Sequence, residues 1–441
     1  MRSLSPIVFL ACLAAARLTA APLALQAATD REFYPADTRH NVYLEVRFGA
    51  PAAPDTSSRR NVALVLDRSG SMAGEPLQAL RRAVVASLAL LAPDDTVAII
   101  AFDSEVETLV EATPLRNLTG LDGLLGRLEA TGGAALYDAL NQGAAQLRRH
   151  AGPAVSSHLV LVTDGPASKG PRETADFTKL AAALGAEGIT LSTIGLGSDF
   201  NEDQLADIAR AGKGRFHYAA GPEALGTALQ QELSAPGALR ARDLELQVEV
   251  LSPVSEQLES YGWLRGEVQR HTVTYRLPYL FSGQDVSVLV GAQMEPRRAG
   301  YEFARVRLAW TEVEGGGRQA QEQTVGIQLE QDSTALRNSG NPAVIRSAVD
   351  IVISEGLQDA IEEMDKGDLR RALRALRRAR SEALDLNYRL DDPRARKSIA
   401  DLDAYLDQLR ARGLNQLDRK VLRSGLNSRF QTPVAGEEPD K

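Results

Sequence analysis

The chain has 441 residues, of which 44% are hydrophobic, so it is long enough for several domains with buried cores and is no disordered polymer. Its 50 Lys and Arg residues against 58 Asp and Glu residues give a formal net charge of −8. This balance excludes the overall basic excess of a nucleic-acid-binding protein, and the single cysteine excludes an internal disulfide framework.

The N-terminal residues have the order of a secretory signal. Arg2 precedes an apolar stretch, and an Ala-rich segment follows it. Residues 1–28 are therefore predicted to be a signal peptide, which places the protein in the periplasm, at the cell surface or outside the cell. An anchor helix is disfavoured because Arg17 interrupts the apolar run. Cys12 weakly matches a lipoprotein processing site, so membrane attachment is predicted only if Cys12 carries a lipid.

Residues 29–58 contain a half-exposed strand and a Pro-bearing linker, and residues 59–235 then alternate apolar strands with amphipathic helices. This order predicts a doubly wound, Rossmann-like α/β domain, with a parallel sheet between two layers of helices. The predicted strands are Val62–Asp67, Val97–Phe102, His158–Thr163 and Thr190–Ile194, and the predicted helices are Pro76–Leu91, Ala134–Arg149, Arg172–Leu184 and Glu202–Ala211.

Residues 236–332 change to the two-residue period of half-buried strands, which predicts an antiparallel β-sandwich. The strand at 41–48 has the same alternation, which suggests that it rejoins this sandwich and that the α/β unit is an insertion. Residues 333–425 have helical spacing and predict a small α-helical module, with a disordered tail at 426–441. Its arginine-rich helix, 369–384, is interpreted as a solvated face, with a docking surface for acidic partners or anionic lipid as the alternative.

The first strand of the α/β domain ends in a cluster of oxygen-bearing side chains. Asp67, Ser69 and Ser71 follow the apolar run in the sequence Asp-Arg-Ser-Gly-Ser, and Asp164 follows a second strand in Thr-Asp-Gly. Ligands of open α/β sheets bind at the carboxyl ends of strands, and such oxygens suit a hard divalent cation. The alternative is a polar turn in which Asp67 or Ser69 only caps the next helix.

Four segments together resemble a von Willebrand factor type A domain: DRSGSM at 67–72, TGGAALYDAL at 131–140, TDG at 163–165 and GLGSDFNE at 195–202. The resemblance implies a metal-ion-dependent adhesion site. Ser69 and Ser71 would be direct ligands of Mg²⁺ (or Mn²⁺ or Ca²⁺), and Asp67 and Asp164 would bind it directly or through water. A carboxylate of a protein partner would complete the site. The flanking layout resembles bacterial secreted proteins of this type, inter-alpha-trypsin inhibitor heavy chains and calcium-activated chloride channel regulators.

One position departs from the family pattern. The family has a threonine ligand after the paired glycines, whereas this chain has Ala134, whose methyl group cannot coordinate a cation. Thr131, three residues upstream, is a weak substitute that would need a different loop path. The resemblance therefore implies a metal site that is weakened by Ala134.

These observations predict an exported, non-enzymatic adhesion or protein-binding module whose partner presents an Asp or Glu. One alternative is a metal-free envelope scaffold that acts through its helical module. The other is a Mg²⁺-dependent phosphohydrolase with Asp67 as nucleophile. That enzyme is disfavoured because Ser69 stands where such hydrolases have a second aspartate.

Overall fold

The computed structural model describes residues 23–36, 38–51, 59–152, 154–234, 239–251, 254–262, 264–295, 300–313, 316–388 and 390–412. Most of the predicted leader, with Cys12, and the predicted tail at 426–441 lie outside these residues. None of the helices in the described part is long and apolar enough to cross a membrane.

The chain begins with strands of the sandwich. These are β1 (Ala24–Thr29), β2 (Phe33–Pro35) and β3 (His40–Gly49), and β1 pairs antiparallel with β3 along its whole length. The leader boundary predicted at residue 28 thus lies within a strand. Cleavage before Leu23, which is itself buried in the sandwich core, would leave β1 intact, whereas cleavage at residue 28 would remove it.

The α/β domain follows as a six-stranded sheet between two layers of helices. Its strands are β4 (Arg59–Asp67), β5 (Thr96–Phe102), β6 (Val106–Pro114), β7 (Val155–Thr163), β8 (Ile189–Leu196) and β9 (Lys213–Ala219), in the order β6-β5-β4-β7-β8-β9. The helices are α1 (Glu75–Leu88), α2 (Leu121–Gly126), α3 (Leu136–Arg148), α4 (Thr174–Ala186), α5 (Glu202–Ala211) and α6 (Pro222–Leu233).

The predicted doubly wound fold is confirmed, with one correction to the sheet. Edge strand β6 runs antiparallel to β5, so the sheet is mixed rather than parallel throughout. Strands β4 and β5 are buried on both faces, as their apolar runs predict, and separate hydrophobic clusters lie on the two sides of the sheet. Edge strands β6 and β9 carry more exposed polar residues, and the sequence pattern did not predict them.

The chain then returns to the sandwich with β10 (Leu239–Val250), β11 (Val254–Tyr261), β12 (Glu267–Gln269), β13 (Thr272–Phe281), β14 (Asp285–Met294), β15 (Tyr301–Glu312) and β16 (Arg318–Glu330). One sheet has the order β1-β3-β14-β11, and the other has the order β12-β13-β10-β15-β16-β2. Because β3 lies between β1 and β14, the α/β domain is an insertion between two strands of the sandwich.

The C-terminal helices are α7 (Ser333–Asn338), α8 (Pro342–Asp365), α9 (Leu369–Asn387) and α10 (Pro393–Arg412). Helix α8 ends before Gly367, which has a φ of 78°, and the Asp368 side chain accepts a hydrogen bond from the Arg371 backbone N–H to cap α9. The core of this module includes Tyr43 of β3 and Leu289 of β14. The helices therefore pack on the outer face of the first sandwich sheet.

Buried Glu232 connects α6 to strands β7, β8 and β9 of the α/β sheet. Glu232 accepts hydrogen bonds from Ser192 of β8 at 2.6 Å and from His217 of β9 at 2.5 Å, and it also lies 2.9 Å from His158 and 3.1 Å from Arg215. Burial alone would raise the pKa of Glu232, but Arg215 and the two histidines hold that pKa well below its usual range.

Replacing Glu232 with Gln is expected to lower the free energy of unfolding by about 3 kcal/mol at pH 7, because it removes the buried charge that compensates Arg215. A carboxylate with a depressed pKa stabilises the fold above its ordinary pKa of 4.5, and that contribution is lost as the pH falls further. Urea unfolding at several pH values should show the difference between the two proteins shrinking below that pH. An equal difference at every pH would contradict this account.

Gly356 allows α8 and α9 to approach closely, since an added Cβ would overlap the methyl group of Ala379. Gly356→Ala is expected to destabilise the helical module by about 1–3 kcal/mol through overpacking, although alanine is the better helix former. Gly226→Ala in α6 is the matched control, because an added Cβ there meets no atom within 4 Å. It should stabilise by about 0.5–1 kcal/mol. Thermal unfolding followed by circular dichroism should shift in opposite directions for the two variants.

Candidate functional site

The predicted site residues meet at the carboxyl edge of the α/β sheet. Strands β4 and β7 pair in parallel, with Leu66 opposite Val162. Their next residues, Asp67 and Thr163, therefore lie side by side, and Asp164 follows in the turn after β7. The loop after β4 forms a short 3-10 turn, Gly70–Met72, before α1 begins.

A network of hydrogen bonds among side-chain oxygens connects the ends of β4 and β7. The Ser71 hydroxyl donates to Asp164 Oδ1 at 2.7 Å, and the hydroxyls of Ser69 and Ser71 are 3.0 Å apart. The Ser69 backbone N–H donates to Asp67 Oδ1 at 2.7 Å, and the Thr163 hydroxyl donates to Asp67 Oδ2 at 2.5 Å. The structure thus brings all four principal predicted residues together.

Neither Asp67 nor Ser69 caps the next helix, which was the alternative interpretation of this turn. Ser69 precedes the 3-10 turn but makes no side-chain capping bond, and the residue that precedes α1 is Gly74, which has no side chain to cap with. Asp67 is occupied by the Ser69 N–H two residues on and by Thr163 from the neighbouring strand. The oxygens therefore face one another across the strand ends rather than a helix terminus.

The two carboxylates differ in their surroundings. Asp67 has no exposed surface, and burial raises its pKa to about 6 even though hydrogen bonds from Thr163 and Ser69 act in the opposite direction. Asp164 is half-buried, and burial raises its pKa too, against the hydrogen bond from Ser71 and with a further contribution from the charge of Asp199. Negative charge at this edge is thus incompletely compensated by the protein itself.

The third loop, 131–135, closes over the same edge through its backbone. The Gly132 carbonyl accepts from the Gly70 N–H at 3.2 Å, which joins this loop to the serine turn. Gly132 has a φ of 62°, and an added Cβ would lie 2.6 Å from the Ser104 hydroxyl, so glycine is required there on both counts.

Thr131 and Ala134 are engaged elsewhere. The Thr131 hydroxyl donates to Asp103 Oδ2 at 2.6 Å rather than joining the Ser69–Ser71–Asp164 hydrogen bonds. Ala134 is buried, and its backbone N–H donates to the Ser168 hydroxyl at 2.7 Å. The weak substitute ligand that the sequence suggested is therefore committed to Asp103.

Asp103 is a supporting residue that the sequence analysis did not identify. It lies just after β5, accepts from Thr131 and from the Glu105 N–H, and pairs with Arg68 at 3.2 Å. Burial would raise its pKa, but these hydrogen bonds and Arg68 lower it. The sequence did contain a signal for this role. Asp103 directly follows the predicted strand that ends at Phe102, much as Asp67 ends its own strand, and ligands bind at such carboxyl ends.

Residues 61–231 match the family model of the von Willebrand factor type A domain. The chain contains a von Willebrand factor type A domain. The predicted family is thereby confirmed for the part of the chain in which the site lies. Within the described residues there is no cluster of three or more His, Cys, Asp or Glu side chains that could hold a metal.

Sequence relatives match the domain and, in one case, its flanks. Protein sll0103 of Synechocystis sp. is 28% identical over 284 residues, which cover 62% of this chain and 67% of that protein. Human inter-alpha-trypsin inhibitor heavy chain H3 is 30% identical over 171 residues, or 36% of this chain and 18% of the heavy chain. The predicted similarity to heavy chains is thus confirmed over a segment that spans less than a fifth of their length. The similarity to chloride channel regulators stays a prediction.

A solved structure extends the similarity beyond the von Willebrand factor type A domain. The ArnB paralog VWA2 from Sulfolobus acidocaldarius superposes with a TM-score of 0.62 over 93% of this chain and 98% of its own, at 18% identity. This likeness shows a shared fold and carries no information on activity.

The hydroxyl of Thr163 is expected to hold the Asp67 carboxylate in the orientation seen here. Thr163→Val keeps the shape of the side chain and removes the donor, so it should lower the free energy of unfolding by about 1–3 kcal/mol. Thr163→Ser keeps the hydroxyl and should recover much of that loss. Urea unfolding of the full chain in EDTA measures both; equal stabilities for the Val and Ser variants would show that the hydrogen bond contributes nothing.

Proposed function

We propose that this protein is an exported, non-enzymatic protein-binding or adhesion module that engages an acidic residue of a protein partner through a metal-ion-dependent adhesion site. Asp67, Ser69, Ser71 and Asp164 would hold the cation, Mg²⁺ or else Mn²⁺ or Ca²⁺. The observation that carries this proposal is that the side-chain oxygens of Ser69, Ser71 and Asp164 are hydrogen-bonded one to the next at the strand ends.

The spacing of these oxygens fits a small hard cation. Neighbouring ligands of an octahedral Mg²⁺ at about 2.1 Å from the metal lie about 3 Å from one another. The distances of 3.0 Å between the two serine hydroxyls and 2.7 Å between Ser71 and Asp164 are close to that value. Small changes would therefore convert hydrogen bonds among these groups into shared coordination.

The electrostatics also fit. Asp67 and Asp164 both have raised pKa values because burial penalises their charge. A positive ion between them would favour the ionised carboxylates and offset that penalty. When bound, the cation would offer an open coordination position to a carboxylate of the partner. The protein's own part is to orient its oxygens through Thr163, the Ser69 backbone and the loop joined at Gly132.

The same geometry supports a role without catalysis. Both oxygens of Asp67 accept hydrogen bonds from the protein, and the residue has no exposed surface, so a phosphate ester could not reach it without rearrangement. Ser71, by contrast, is exposed and accessible to a large ligand. An extracytoplasmic location rests on the secretory pattern of residues 1–28.

Cation binding should depend on these oxygens and be limited by Ala134. Isothermal titration of Mg²⁺ or Mn²⁺ into the full chain is expected to give metal-dependent heat that is lost in Asp67→Ala. Ala134→Thr should tighten binding about tenfold, roughly 1.4 kcal/mol, because it restores a hydroxyl. Ala134→Val has a similar shape without the hydroxyl and is the matched control.

The two alternatives predict different outcomes, one in the cation titration and the other in an assay of phosphate-ester turnover. No heat from either cation in the native chain, with the fold intact by circular dichroism, would overturn the adhesion-site mechanism and favour a metal-free scaffold that acts through the helical module. Turnover of a phosphate ester that needs Mg²⁺ and disappears in Asp67→Ala would instead establish a phosphohydrolase.

A further inference from the structure

Helix α9 presents a narrow stripe of side chains that nothing in the described structure covers. Its members recur at helical spacings of four and three residues, so they fall on one face opposite the buried side of the helix. They are Arg370, Arg374, Arg377, Ser381, Leu384 and Tyr388, and all six are exposed. The buried side carries Ala372, Leu376, Ala379 and Ala383, which pack into the helical module.

The arginines of this stripe form no close pair with a carboxylate among the residues that the structure describes. Arg370, Arg374 and Arg377 form no close ion pair with the residues that the structure describes, whose nearest pairs use Arg371 and Arg380 instead. Arg374 acts at longer range and helps to lower the pKa of Asp368, and Arg378 acts in the same direction on Asp359 against the effect of burial. Three of the acidic groups nearby are already engaged in close pairs.

Those engaged pairs lie to the sides of the stripe. Asp368 caps α9 and pairs with Arg371, Glu363 pairs with Lys366 and Arg371, and Asp403 pairs with Arg380. In a chain with an excess of acidic residues, arginines that gather along one face without close carboxylate pairs are a local positive feature.

The C-terminal end of the stripe is apolar. Tyr388 is 83% exposed and Leu384 is 39% exposed, and both belong to the small number of large hydrophobic side chains that the described residues leave at the surface. From Arg370 to Tyr388 the stripe is about 27 Å long, at 1.5 Å per residue. It therefore combines a positive segment with an apolar end, in a fixed order.

We propose that this stripe, Arg370 to Tyr388, is a docking surface for an acidic, amphipathic helical segment of a protein partner. Guanidinium groups bind carboxylates in two-point hydrogen bonds, so a row of arginines one helical turn apart matches a row of Glu or Asp at the same spacing. Leu384 and Tyr388 would pack against an apolar residue at one end of the partner helix and set its direction.

An anionic membrane matches this surface less well. A helix that lies in a membrane interface buries a broad apolar face with basic residues at its margins. Here the centre of the exposed face is arginine, the apolar residues occupy one end, and Asp385 lies exposed beside them. The order along the helix thus favours a partner with a direction and a sequence over a lipid surface.

The test uses fluorescence anisotropy of a labelled helical peptide of about 20 residues, long enough to span the stripe. It carries Glu at spacings of four and three residues and a Leu near one end. The titration is done with the full chain in EDTA, so that carboxylate binding through a cation at Asp67, Ser69 and Ser71 cannot contribute. Saturable binding that weakens as NaCl is raised is expected.

Replacing Arg370, Arg374 and Arg377 together with Gln is expected to weaken binding by about tenfold or more, since each exposed charge pair contributes modestly. The control variant replaces Arg59, Arg127 and Arg307 with Gln, three exposed arginines outside α9, and should bind as the native chain does. Leu384→Ser with Tyr388→Ser should weaken binding without changing its salt dependence. All of these side chains are exposed, so the variants should fold, which circular dichroism checks.

Three results would overturn the proposal. Equal loss of binding in the α9 variant and in the control variant would show that only total charge matters. Equal affinity for a peptide of the same composition in scrambled order would show that the stripe does not recognise the order of acidic and apolar residues. Binding to vesicles of phosphatidylserine and phosphatidylcholine that depends on the three arginines, with no binding of the peptide, would assign the surface to anionic lipid instead.

Discussion

The parallel pairing of β4 with β7 is the constraint on which the candidate site depends. It places Asp67 beside Thr163 and brings Asp164 within reach of Ser71, although these residues are almost a hundred positions apart in the chain. The pairing is maintained by two strands that are buried on both faces, where a shift of register would misalign every apolar contact with the helices above and below. Packing of the core therefore fixes the register of these strands, and with it the positions of the polar side chains at the edge of the sheet.

The three units of the protein have different relations to one another. The α/β domain is inserted into the sandwich, so both of its connections lead to strands of that sandwich, β3 before it and β10 after it. The helical module instead packs laterally, through Tyr43 and Leu289, on the outer face of one sheet. The hydroxyl of Tyr43 in β3 also donates a hydrogen bond to Glu382 of α9. This arrangement places the cluster of Asp67, Ser69, Ser71 and Asp164 in the α/β domain and the exposed stripe of α9 in the helical module.

Much of this organisation follows from local patterns. The central strands and most helices were predictable because a continuous apolar run predicts a buried strand and a spacing of three to four residues predicts an amphipathic helix. The strands that were missed, β6 and β9 among them, lie at sheet edges. There, exposure on one side weakens the apolar pattern, and pairing partners rather than composition decide that a strand forms. The antiparallel direction of β6 likewise depends on its pairing with β5.

The sequence by itself determined which oxygens could form a site, because Asp67, Ser69, Ser71 and Asp164 each follow or end an apolar strand and belong to motifs of a recognisable family. Only the tertiary structure decided how those oxygens are used. It showed that Thr163 and the Ser69 N–H hold both oxygens of Asp67, that Thr131 is committed to Asp103, and that burial raises the pKa of Asp67. Such properties arise from groups distant in the chain and from the exclusion of water, neither of which is written in a local pattern.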